Sequence, residues 1–251
     1  MKRDELGALL NLWFEPDRFK DVAENGLQVE GRDEVEHVVC GVSANQRLID
    51  VAIGRGADAI FVHHGLVWGG GIRKLTGWLG ERVRSLMANG ISLFAYHLPL
   101  DAHPSLGNNA GLADALGLAR DREPFGAYKG QLIGAQGRLE APTRLDSVVE
   151  TLRARVGPPL AVFGDPERLV SSVGVCTGGA PELLHDAIDA GLDLYVTGET
   201  TEWVKAIAEE SGVAFIAGGH HATERFGARR VAEALTAQGL RAEFVDVENP
   251  A

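Results

Sequence analysis

One apolar run with a polar turn at its end occurs twice in this chain, 135 residues apart. Ala57–Gly65 reads ADAIFVHHG and Leu192–Thr200 reads LDLYVTGET, with Ile53 and Ile188, Gly56 and Gly191, and Asp58 and Asp193 in step. Short apolar runs bounded by Gly and polar residues read as strands buried on both faces. Strands of that kind belong to parallel sheets covered by helices. Upstream, VVCGV (Val38–Val42) matches VGVCTG (Val173–Gly178); downstream, NGISLFAYH (Asn89–His97) matches SGVAFIAGGH (Ser211–His220). In the first copy a helix is expected over Gln46–Gly54 and another over Arg82–Ala88, stopped at Asn89-Gly90. The order strand, helix, strand, helix, strand therefore recurs, which predicts two similar α/β halves rather than one continuous sheet.

The expected division is residues 1–125 for the first half, with 226–251 packing back onto it, and 126–225 for the second. Leu6, Leu9, Leu10 and Trp13 have helical spacing, so a helix opens the chain over Asp4–Trp13. The Gly/Pro-punctuated stretch Arg122–Leu160 holds the crossover, with a strand in QLIGAQGRLE and a helix in LDSVVETLRARV.

Composition narrows the function. The 251 residues carry 24 Lys plus Arg against 35 Asp plus Glu, a net charge of −11. A phosphate-backbone binder presents a basic face, so nucleic acid is disfavoured as a partner. Cys40 and Cys176 lie in apolar strand-like runs and read as buried free thiols of a reduced, cytoplasmic protein. Neither a signal-peptide pattern nor an apolar run long enough to span a bilayer is present in the sequence. Glycine is abundant, 32 residues, about twice the usual share; this suits many tight turns leaving strands.

Those turns carry the chemistry. In open parallel sheets, sites form outside the carboxyl ends of the strands. Here the ends read FVHHG (His63, His64), AYHLPLD (His97, Asp101), YVTGE (Glu199) and AGGHHATE (His220, His221, Glu224). His97 and Asp101, and likewise His220 and Glu224, stand four residues apart, which on a helix is one face. Each motif alone is weak: Asp101 or Glu224 would serve as a helix cap, and Gly218-Gly219 would merely permit a tight turn. Their concentration at strand ends favours a metal site. Imidazole and carboxylate without cysteine suit Zn²⁺, Mn²⁺ or Fe²⁺. The donors outnumber the needs of one tetrahedral ion, so a two-metal hydrolytic site is expected.

Taken together, FVHHGLVW, YHLPLDAHPSLGNNAGLA, YVTGE, AGGHHATER and NGLQVEG (Asn25–Gly31) resemble the NIF3-like (DUF34) dinuclear metal proteins, whose members are also called GTP cyclohydrolase 1 type 2 homologs. The resemblance spans nearly the whole chain. It implies two NIF3-like α/β halves with a metal cleft between them, two divalent ions per chain (Zn, Fe, Mn or Ni), and a ring-like homohexamer. It places metal ligands at His63, His64, Asp101, His220 and Glu224, with a bridging carboxylate. His97 then lies behind the ligands or relays a proton, although its equivalence to His220 also allows a direct ligand. His221 and Glu199 are near-site candidates. The implied activity is metal-dependent hydrolysis of a small anionic substrate, with opening of the GTP purine ring as the named case. The alternative is a non-catalytic metal-binding, metal-delivery or scaffold protein.

Other residues keep two readings. Arg73 and Lys74, in the glycine-rich segment Trp68–Trp78, either meet an anionic substrate or are solvated charges on a mobile loop. Asn25, Asn108 and Asn109 either bond a substrate or loop, or cap turns and helices, with capping favoured for at least one. His37 and His185 read as ordinary surface residues.

Overall fold

The computed structural model describes residues 1–72 and 74–251. Two compact units emerge: Met1–Leu100 with Gly227–Glu248, and Asp101–Phe226 with Asn249–Ala251.

The first unit holds α1 (Arg3–Phe14), β1 (Gly26–Val29), β2 (His37–Ser43), α2 (Gln46–Gly54), β3 (Ala59–His64), α3 (Gly77–Ala88) and β4 (Ser92–Ala95). The short α4 (Leu98–Ala102) leads into the second unit. There follow α5 (Asn108–Ala115), β5 (Glu123–Tyr128), β6 (Gln131–Arg144), α6 (Leu145–Arg155), β7 (Ala161–Phe163), β8 (Leu169–Val175), α7 (Leu184–Asp189), β9 (Leu194–Thr197), α8 (Val204–Ser211), β10 (Ala214–Ala217) and α9 (His220–Thr223). Finally α10 (Arg225–Ala237) and β11 (Arg241–Phe244) return the chain to the first unit.

The first sheet has the order β1-β4-β3-β2-β11 and the second β5-β6-β8-β9-β10-β7. In each, three successive strands pair in parallel, and an antiparallel strand closes the side of the third: β1 on β4, β7 on β10. The apolar runs explain this. β4, β9 and β10 are buried at every residue, so both of their faces need cover. Leu48, Ile49 and Leu86 supply it on one face of the first sheet, packing with Ile60, Val62 and Leu93. Leu112, Leu152 and Val148 do so in the second, against Val173, Val196 and Ile216.

The matched aspartates of the repeat perform the same task. Asp58 Oδ2 accepts from the backbone N–H groups of Glu36 and His37, both at 3.0 Å, while Asp193 Oδ2 accepts from Ser171 and Ser172, both at 2.9 Å. An arginine pairs with the other oxygen in each case, Arg32 with Asp58 and Arg168 with Asp193. Each arginine also donates to a carbonyl at the turn before the third strand, Asn89 and Gly212 respectively. A shared sequence pattern thus carries a shared polar network as well as a shared strand order.

Some boundaries differ from the sequence expectation. α2 spans Gln46–Gly54 as expected, capped by the Asn45 side chain, which accepts from Leu48 N–H at 2.9 Å. β3 continues through His64, because Ser43 pairs with His64 in the parallel ladder; the two histidines are strand residues. α3 begins at Gly77, five residues before Arg82, since the weak helix formers Gly77 and Gly80 mask its first turn. His37 is buried rather than on the surface, with Nε2 2.9 Å from Glu243 Oε1. Both cysteines are free and buried. Among the described residues, no helix is long and apolar enough to cross a membrane.

Gly111 tests the packing of the second unit. A Cβ there would lie 2.2 Å from Phe226 Cβ and 2.5 Å from its Cγ. Gly→Ala in an exposed helix gains about 1 kcal/mol, but overpacking a core costs about 1–3 kcal/mol. Phe226 Cβ is tied to its own backbone and has little room to retreat. Gly111→Ala is therefore expected to lower the melting temperature by several degrees; a rise would show that helix propensity dominates at this contact.

Candidate metal centre

The first unit gathers three imidazoles at the ends of β3 and β4. His63, His64 and His97 each offer a ring nitrogen within 4.8 Å of those of the other two. Ring centroids of His63 lie 4.4 Å from His64 and 5.0 Å from His97. Trp68 borders this group, edge-on to His97 at 5.1 Å, and its Nε1–H donates to the Gly65 carbonyl at 3.0 Å.

Each imidazole has a partner at Nδ1. His63 Nδ1 meets the Tyr96 carbonyl at 3.1 Å, His64 Nδ1 meets Ser43 Oγ at 3.1 Å, and His97 Nδ1 meets Asp21 Oδ1 at 2.8 Å. A carbonyl and a carboxylate only accept, so His63 and His97 carry a proton on Nδ1. Metal-binding histidines are oriented in this way by a carboxylate, carbonyl or water at the other nitrogen.

The second unit has its own cluster, of carboxylates and one imidazole. Asp101 is buried, and its Oδ1 accepts from Asn108 Nδ2 at 2.8 Å and from Thr177 Oγ1 at 3.3 Å. Asn109 fixes the surrounding backbone by donating to the Asp101 and Ile133 carbonyls and accepting from Thr177 N–H. Glu224 is also buried, with a carboxylate oxygen within 4.8 Å of one on Asp101. Its Oε1 lies 3.2 Å from His220 Nε2, and His220 Nδ1 lies 2.5 Å from Glu199 Oε1. Gly178 makes room for this arrangement: it sits at φ 72°, and a Cβ would fall 2.2 Å from Glu224 Oε1. Glu199 thus touches His220 directly, while His221 is buried and its backbone N–H donates to the Ala251 carbonyl.

Charge follows from these contacts. Burial works to raise the Asp21 pKa, but His97 and hydrogen bonds from Asn25 and the Ala23 N–H hold it well below the usual carboxylate range. Burial lowers that of His220, but Glu224 and Glu199 reverse this and raise it to about 9. Burial, with Asp101 and Glu224 nearby, pushes the Cys176 thiol well above its usual range, so it remains a neutral thiol. The donor set is accordingly imidazole and carboxylate, which fits a borderline-to-hard divalent ion.

The remaining candidates fall outside these groups. Lys74 is exposed, and Arg73 lies outside the described residues. None of Asn25, Asn108 and Asn109 caps a helix: Gly107 is the N-cap of α5, and the asparagine side chains hold His97 and Asp101 instead. Asp21, Ser43 and Thr177 were silent in the sequence, since no motif marks a residue whose partner is 21 to 76 positions away.

The family profile described as Duf34/NIF3 (NGG1p interacting factor 3) matches residues 1–250. A protein of Neisseria meningitidis serogroup B named GTP cyclohydrolase 1 type 2 homolog is 45% identical over 234 residues, covering 93% of this chain and 92% of that one. The protein of the same name from Escherichia coli K12 is 41% identical over the full length of both. Among solved structures, the protein ybgI, described as of unknown function, superposes with a TM-score of 0.93 at 41% identity and full coverage of both chains. TTHA1606 from Thermus thermophilus gives 0.88 at 34% identity, covering 100% of this chain and 99% of that one. The chain belongs to the Duf34/NIF3 family.

His220 gives this site a pH signature. Its folded pKa of about 9 exceeds the ordinary imidazole value of about 6.5. The stabilisation from its proton is full below about pH 6.5 and is lost as pH rises through about 9. Thermal melts of metal-free protein should lose a few degrees between those values, and His220→Asn should flatten that slope. An unchanged slope in the variant would contradict the assigned pairing.

Proposed function

We propose that this Duf34/NIF3 protein holds two divalent ions per chain and uses them to hydrolyse a small anionic or purine-like substrate. The proposed ligands are His63, His64, Asp101, His220 and Glu224, with Glu224 bridging the ions. The observation that carries the reading is the position of Glu224, which approaches Asp101 on one side and His220 on the other. Zn, Fe, Mn and Ni all suit these donors, and cellular availability decides among them.

Ions held here supply Lewis acidity and an activated water near neutral pH. The chain's own residues do the rest. Asp101 and Glu224 balance the positive charge, with Asn108 and Thr177 holding Asp101 in place. The imidazole partners at Nδ1 fix ring orientation before any ligand arrives. His97 takes or returns a proton at Nε2. Arg73, Lys74, Glu199 and His221 are the proposed substrate contacts. The name shared by the relatives directs the substrate reading to GTP, whose purine ring would open with loss of formate. The resemblance to the family is the ground for proposing a ring-like homohexamer, and the two free, buried cysteines favour a cytoplasmic location.

Elemental analysis of purified protein tests the metal reading: about two ions per chain are expected, and Glu224→Ala should lose most of them. Full retention by that variant would refute the bridge. Formate release from GTP by metal-loaded protein tests the chemistry, with Asp101→Ala as control. Release no greater than the control, with ions retained, would replace the hydrolase by a metal-binding or metal-delivery protein.

A further inference from the structure

We propose that Asp21 is a positioning residue that acts through His97, locking its ring with the proton on Nδ1 and fixing the direction in which Nε2 is presented beside His63 and His64. The lock is a set of convergent hydrogen bonds. The Asp21 side chain is only 2% exposed. Its Oδ1 accepts from His97 Nδ1 at 2.8 Å and from the Val22 and Ala23 N–H groups at 2.6 and 3.1 Å. Its Oδ2 accepts from the Leu98 N–H at 2.9 Å and from Asn25 Nδ2 at 3.0 Å. Asn25 completes the clamp, with Oδ1 accepting from the His97 N–H at 2.7 Å. The backbone on both sides of the His97 carbonyl and the ring itself are therefore tied to one carboxylate–amide pair.

Orientation alone needs far less than this. A carbonyl holds His63 and a hydroxyl holds His64, and neither carries charge. A buried, charged acceptor at Nδ1 holds that orientation and tautomer more strongly than either. The second unit has the same device at the strand end that the repeat equates with this one: Glu199 at His220 Nδ1, with His220 Nε2 turned to Glu224. That carboxylate is half exposed, whereas Asp21 is shut away from solvent. The buried pair at His97 is thus the more firmly held of the two.

The effect on turnover rests on the hydrolase reading above, but the tautomer does not. The test is a long-range ¹H–¹⁵N correlation spectrum of the full-length, metal-free protein above the ordinary imidazole pKa range. In the wild type, His97 should show the proton on Nδ1. Asp21→Ala should move it toward Nε2–H, changing the tautomer ratio by about tenfold or more. Asn25→Ala, which keeps the carboxylate, should give a smaller change in the same direction. The Asp21→Ala variant should keep the wild-type ion content while GTP turnover falls about tenfold or more. A wild-type spectrum with the proton on Nε2 overturns the proposal, whether or not the variants fold. Loss of ions from Asp21→Ala overturns it as well, by making Asp21 part of the metal scaffold. Absence of ions from the wild type would instead refute the metal reading and leave the tautomer assignment to its own spectrum.

Discussion

Parallel pairing of three consecutive strands is the constraint on which this structure depends. It forces β2, β3 and β4 to run in one direction, and β8, β9 and β10 likewise. Successive carboxyl ends then emerge on the same edge of each sheet. Polar side chains from distant parts of the chain meet there without interrupting the buried ladder. His63 and His64 end β3, and His97 lies two residues beyond β4; His220 follows β10 and opens α9. The Asp58–Arg32 and Asp193–Arg168 networks brace the opposite, entering ends of these strands.

At the carboxyl ends, geometry is set by what stands behind each imidazole. Tyr96, Ser43, Asp21 and Glu199 each occupy an Nδ1; in the proposed centre His63, His64 and His220 would offer Nε2 to the ions, while His97 would use its Nε2 for the proton. Orienting partners of this kind fix ligand direction before binding and raise ligand basicity. The carboxylates receive the same treatment from neutral donors, Asn108 and Thr177 at Asp101, which hold the side chain without cancelling its charge. Gly178 belongs to this arrangement because any larger residue would push Glu224 aside.

Much of the fold was legible because burial leaves an unambiguous local pattern. Ile60–Val62 and Leu194–Val196 are continuous apolar runs with Gly or polar residues after them, and the repeat set them in register. α2 was legible, since Asn45 caps its start and Gly56, at φ 68°, follows its end. The start of α3 was not, because its first turn contains two glycines. His37 looked like a surface residue because its partner, Glu243, lies on β11, more than 200 positions away. Among the site residues, histidines at strand ends announce themselves by type and place. The asparagines did not: Asn at a helix start looks like a cap, and only the packed structure shows Asn108 turned to Asp101 instead. Asp21 had no local signal at all, because its role exists only once β4 is laid beside the N-terminal segment.

The proposed function requires imidazoles and carboxylates at these strand ends to hold two divalent ions. X-ray absorption at the metal edge, on full-length protein loaded with Zn²⁺, tests it most directly. An inner shell of nitrogen and oxygen only is expected, with imidazole scattering and a metal–metal vector at about 3.5–4 Å. A sulfur ligand, or an isolated ion with no metal–metal vector, would contradict it.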